Sequence, residues 1–129
     1  MDIVIITKNG ELFASGVNSK GEIIGLLPKE ELKTFTKFEI KDENNQVWNP
    51  MSAAACCEST LYLVSSTESN SKNKIAYSYA HTKTAFPVFQ NIGDSNPIAL
   101  YSGFFNAAAI DSEGSILYFP EYYYDSPLP

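Results

Sequence analysis

The chain is poor in the residues that most often carry chemistry. Its 129 residues include one histidine, two cysteines and one tryptophan. The two cysteines, Cys56 and Cys57, are neighbours. Adjacent strand residues point to opposite faces, so an unstrained disulfide between them is not expected. Together with His81 they also fall short of a four-ligand zinc site. No metal and no cofactor is expected. No apolar run approaches the ~18 residues that a membrane helix needs. The opening MDIVIITKNG has an acid at its second position and reads as neither a signal nor a transit peptide. No Asn-x-Ser/Thr acceptor and no block of like charge occurs. Nine basic residues face fifteen acidic ones, a net charge of −6. Such a surface repels nucleic acid and anionic membrane, and excludes both as expected partners. The reading is of a reduced, intracellular chain, cytoplasmic or nuclear.

What is present is apolar and periodic. Hydrophobic residues make up 44% and charged residues 19%, the composition of a globular domain. "IITKNGELFAS", Ile5–Ser15, reads as a strand, a tight turn and a second strand. "AAIDSEGSILYFPE", Ala108–Glu121, has the same grammar. Their turn glycines, Gly10 and Gly114, lie 104 residues apart. One copy between them would set a period of about 52, near the range of repeat architectures. "SAAACCESTLYLVSS", Ser52–Ser66, fits that place. The three apolar runs open at Asp2, Ser52 and Asn106, 50 and 54 residues apart. A deletion in the middle turn and a polar insertion elsewhere account for the unevenness.

Asn9-Gly10 predicts a tight primed hairpin turn with positive φ at its centre. Glu113-Gly114 predicts the same less ideally. Glu58-Ser59-Thr60, without glycine, predicts the most irregular turn. The small residues Ala53–Ala55 and Ala107–Ala109 predict a place where sheets approach closely and a larger side chain overpacks. "FTKFEI" (Phe35–Ile40), "KIAYSYA" (Lys74–Ala80) and "PIALYS" (Pro97–Ser102) alternate with period two, as half-buried strands do. "PKEELK", Pro28–Lys33, has the proline, acid and lysine order of a single helical turn, or of a solvated loop. "STESNSKN", Ser66–Asn73, reads as an exposed loop tip.

Roughly four strands per repeat predict an all-β fold of antiparallel propeller blades. The first copy continues as "ELFASGVNSKGEIIG", Glu11–Gly25. It resembles the repeat of the regulator of chromosome condensation family, a hairpin strand followed by Trp-Gly-x-Asn-x-x-Gly-Gln-Leu-Gly. Gly16, Asn18 and Gly21 match that pattern. Ser15 replaces the tryptophan, Glu22 and Ile23 stand for Gln and Leu, and Gly25 comes one residue late. In the third copy, Gly103 and Gly114 match family glycines, Asn106 stands for a histidine and Ile110 for a leucine. In the second copy, Ser65 and Ser66 replace the Trp-Gly pair. A kelch blade would need a Gly-Gly pair and a WD blade a Trp-Asp pair, and both pairs are missing. The resemblance implies a seven-bladed propeller. This chain would supply about two and a half blades, with parts at 1–34, 35–80 and 81–129. It is expected to be a fragment of a longer propeller, or to complete itself with another copy.

Candidate chemistry is sparse. His81 suits a general base but has no carboxylate or nucleophile at a fixed spacing. Cys57 reads as a structural thiol quieted by apolar surroundings. Asp111–Gly114 is a scrap of a calcium loop without its distal glutamate, and a hairpin turn explains it better. The stretch from Gly16 to Gly21 lacks the Gly-Lys-Ser/Thr end of a phosphate cradle. "KDENNQ", Lys41–Gln46, is a solvated loop or a specificity loop. "EYYYDSP" is an aromatic surface or an inter-blade strand. The functional expectation is therefore a non-enzymatic protein-interaction or scaffold module. The family resemblance implies regulation of a small GTPase by guanine-nucleotide exchange. The alternatives are a small hydrolase-type enzyme using His81, and a self-assembling structural fragment.

Overall fold

A computed structural model of the chain describes residues 2–17, 31–56, 59–68, 71–79, 87–103 and 106–120. Among these, eleven strands form three antiparallel sheets and no residue is helical. The first sheet holds β1 (Asp2–Ile6), β2 (Leu12–Val17) and β3 (Glu31–Phe38) in that order. The middle sheet has five strands in sequence order: β4 (Ile40–Lys41), β5 (Val47–Ala55), β6 (Ser59–Ser65), β7 (Lys74–Tyr79) and β8 (Val88–Phe89). The third has β10 (Asn106–Asp111) between β9 (Pro97–Ser102) and β11 (Ile116–Pro120).

The middle sheet is packed on both faces. Ala54, Leu61, Leu63, Ile75 and Tyr77 face a core completed by Ala107, Ala109, Leu117 and Phe119 of the third sheet. Tyr62, Val64, Ala76 and Phe89 face the opposite core, completed by Val4, Ile6, Leu12 and Phe38 of the first. β6 is consequently buried along nearly its whole length, on both sides of the pleat. Its run TLYLV is the continuous apolar stretch that a doubly covered strand requires. The chain passes from the first sheet to the middle one at a single residue, Glu39. Phe38 and Ile40 flank it and enter the same core, and the antiparallel sheets include one curled half-barrel.

The two hairpins that the sequence sets 104 residues apart share one register. Ile3 pairs with Ser15 and Ile6 with Leu12; Ala107 pairs with Phe119 and Ile110 with Ile116. They nevertheless bury opposite faces. Leu12 is 2% exposed while its counterpart Ile116 is 73% exposed; Ile5 is 42% exposed while its counterpart Ala109 is fully buried. The first and third sheets cover opposite faces of the middle sheet, so each hairpin meets it from a different side.

Several expectations need correction. The helical turn at Pro28–Lys33 is not formed: Glu31–Lys33 belong to β3, where Glu31 and Leu32 pair with Val17 and Gly16. Residues 28–30 lie outside the described residues. Sheet pairing outweighs the weak propensity of one turn. "FTKFEI" is not one strand, since it breaks at Glu39 between two sheets. β5 starts at Val47 and runs through Pro50, which sits at a register shift between Pro50 and Ser52. A bulge is where a strand tolerates proline. Ser59 and Thr60 are not turn residues; both are buried in β6. The loop from Ser66 to Asn73 is not wholly an exposed tip, because Asn73 is anchored to Asn96 Oδ1 and Pro97 O.

Candidate functional site

Reverse turns build one rim of the molecule. Thr7 N donates to Glu11 O at 2.8 Å and Gly10 N to Thr7 O at 2.9 Å. Asp42 N donates to Gln46 O at 3.1 Å and Asn45 N to Asp42 O at 2.9 Å. Asp111 N donates to Ser115 O and Gly114 N to Asp111 O, both at 3.0 Å. In each turn the fourth residue is left-handed: Gly10 at φ 80°, Asn45 at 65° and Gly114 at 84°. This is a three-residue loop with a glycine-type bulge, and it is not the expected primed turn. Asn9 keeps an ordinary φ, since Asn45 is the only non-glycine residue with positive φ among the described residues.

A side chain at the first position locks each turn. Thr7 Oγ1 accepts from Glu11 N at 3.0 Å. Asp42 Oδ1 accepts from Asn44 N and Gln46 N at 2.9 and 3.0 Å. Asp111 Oδ1 accepts from Glu113 N and Ser115 N at 3.0 and 2.8 Å. Short side-chain acceptors that mimic a backbone turn explain why Thr and Asp stand there. The middle member of this set is Asp42–Gln46. The hairpin at Ser52–Ser66 is not that member, because Cys56 at its tip lies against Asn106, at the other end of the third sheet from the Asp111 turn. Like-built turns thus open at Thr7, Asp42 and Asp111, at intervals of 35 and 69 residues. An Asp or Thr followed by a left-handed Asn or Gly three positions later was the available signal. Without a glycine, "DENNQ" reads as ordinary solvated loop.

Two clefts flank the Asp42 turn. One, of about 500 Å³, is lined by Asp42, Glu43, Asn44 and Lys74 over a floor of Val88 and Phe89. The other, of about 320 Å³, lies between Gly10, Lys37 and Phe38 on one side and Val47, Trp48 and Asn49 on the other. Trp48 lines the second cleft, and its ring meets Phe89 of the first at 5.4 Å. Its indole Nε1 donates to Asp42 Oδ2 at 3.0 Å. That bond holds the Asp42 carboxyl below its ordinary value, aided by the amides of Gln46 and Asn44. The Asp111 carboxyl is held low by Ser115 N first, then by the Ser95 hydroxyl and the amides of Glu113 and Gly114. At the rim of the second cleft, Glu11 lies 2.9 Å from Lys37 Nζ and raises its pKa. The pair is exposed and worth little to stability.

Both aspartates bind a proton less readily folded than unfolded. Their contribution is present above the ordinary aspartate value of 3.8 and is lost as pH falls through the lower folded values. Trp48 is the only tryptophan, so its emission should change as Asp42 protonates. In Asp42→Asn that acid step should disappear from a fluorescence titration. An unchanged step would remove Asp42 from this role.

The repeat positions divide as follows. Gly10 and Gly114 are turn residues. Gly16, at φ 131°, sits at a register shift between β2 and β3. Gly103 N donates to Asn106 O at 2.7 Å, and a Cβ on Gly103 would come within 2.5 Å of Asn106 Oδ1. Asn106 Nδ2 in turn donates to Tyr118 Oη at 3.3 Å. Asn18, Gly21, His81, Cys57 and the EYYYDSP segment lie outside the described residues. Cys56 is buried with its Sγ 3.4 Å from Asn106 O. Among the described residues no group of His, Cys, Asp or Glu could hold a metal, and no helix is long and apolar enough to cross a membrane. No protein-family model matches the chain, and no curated protein matches it.

Proposed function

We propose that the chain is a protein-interaction module made of propeller-type blades, and that it binds a protein partner across the rim carrying the Asp42 turn. The observation that carries this is the pair of clefts beside that turn, one with Asp42, Glu43 and Lys74 over Val88 and Phe89, the other with Glu11 and Lys37 beside Phe38 and Trp48. Rigid sheets that present turns and open clefts on one side are a common basis for recognition. The two end sheets, in one register and burying opposite faces, support the blade reading. The rim mixes Lys37, Lys74, Asp42 and Glu43, which suits a partner carrying both charge and apolar groups.

The test uses the exposed turn residues Glu43 and Asn44, whose replacement leaves the cores intact. Affinity capture from an extract should retain a protein on the natural chain that the Glu43→Lys/Asn44→Arg variant loses. Titrating that protein into the natural chain should shift the emission of Trp48. Identical capture by both chains, or an unmoved Trp48 signal, would contradict the reading.

A further inference from the structure

The outer faces of the first and third sheets are open and apolar. On the first, Ile3 and Ile5 are exposed on β1 and Phe35 on β3; Phe13 and Lys37 pair across from Ile5 in the same row. On the third, Tyr101, Ala108 and Tyr118 form one row, with Ala99, Ile110 and Ile116 beside it. Tyr101, Tyr118 and Ile116 are largely exposed. Contiguous apolar surface of this kind marks an interaction site.

The internal repeat says what covers these faces. Ile3, Ile5 and Phe13 occupy the positions that Ala107, Ala109 and Leu117 hold in the third sheet, and those three are already packed on the middle sheet. Ala108, Ile110, Ile116 and Tyr118 occupy the positions of Val4, Ile6, Leu12 and Ala14, which lie on the inward side of the first sheet. Each open face is therefore the counterpart of a face that the molecule already buries against a sheet. They are of opposite kinds, one left over from each side of the stack.

We infer that the outer face of the third sheet docks on the outer face of the first sheet of a second copy of this chain, head to tail, continuing the sheet stack across the junction. The inference rests on the blade reading above, but its test replaces different residues from those that test the rim. Such a contact is heterologous, so it closes into a ring or propagates.

The experiment uses the whole chain and two single-face variants at exposed positions: Ile3→Glu/Ile5→Glu on the first sheet and Ile116→Lys/Tyr118→Lys on the third. Circular dichroism and a thermal melt establish that each remains folded, and the milder Ile5→Ser and Ile116→Ser replace either that does not. Light scattering should show the natural chain gaining mass with concentration and each variant remaining a monomer. An equimolar mixture of the two variants should associate as a one-to-one pair and go no further, since each keeps one intact face of opposite kind. Monomeric behaviour of the natural chain at all concentrations would overturn the inference. So would variants that still self-associate, or a mixture that stays monomeric. Those failures leave the rim reading standing, because Glu43 and Asn44 test it separately.

Discussion

Replacing Tyr62 by alanine should cost about 3–5 kcal/mol, the range for emptying an aromatic site in a close-packed core. Tyr62 is almost wholly buried in the central strand and meets the ring of Phe38 edge-on, with centroids 6.3 Å apart. The two rings tie the middle sheet to the first one. For a domain whose whole stability is about 5–15 kcal/mol, a loss of this size approaches unfolding. Tyr62→Phe keeps the ring and its packing, and should retain most of the stability. Urea denaturation of the three chains checks both statements. A loss below 1 kcal/mol for Tyr62→Ala would mean that the first sheet does not rest on this face.

The second large effect comes from exchanging residues between two equivalent positions. Ala109 and Ile5 are counterparts in the two in-register hairpins, yet one is buried and the other exposed. Ala109→Ile adds volume where the third sheet meets Ala54 and Leu61, and should destabilise by about 1–3 kcal/mol. Ile5→Ala removes the same volume from a face that is open in the monomer and, at protein concentrations low enough to keep both chains monomeric, should stay within about 0.5 kcal/mol of the natural chain. Thermal melts of the two variants separate these outcomes. Equal effects would deny that the hairpins bury opposite faces.

Much of the sheet structure was legible in the sequence because it depends on local chemistry. Val4 and Ile6 alternate with outward neighbours, and Gly10 and Gly114 mark turns that only a left-handed residue completes. The 104-residue spacing appears directly as shared register. Of the alanine runs, Ala54, Ala107 and Ala109 share one core, whereas Ala53 packs against the other. What the sequence did not display is long-range. β3 begins in a segment with helical order because its partner is β2, fixed by pairing and not by propensity. β5 begins before the apolar run that opens at Ser52, and the bulge beside Pro50 explains how a proline keeps its place in the strand. The candidate site was the least visible part. Its central turn, Asp42–Gln46, uses Asn45 where the others use glycine, and Trp48 joins the two clefts only after β4 and β5 pair. Which face of each hairpin is buried is not written in either hairpin, since both carry apolar residues on both sides.

Selective thiol labelling tests that last point most directly. Cysteine is placed singly at Leu12, Ile116, Ile5 and Ala109, and modification is compared with that of the natural chain, whose own thiols set the baseline. The stack predicts rapid labelling at 116 and 5 and protection at 12 and 109 in the folded monomer, a crossed pattern between equivalent positions. Equal reactivity at positions 104 residues apart would contradict it.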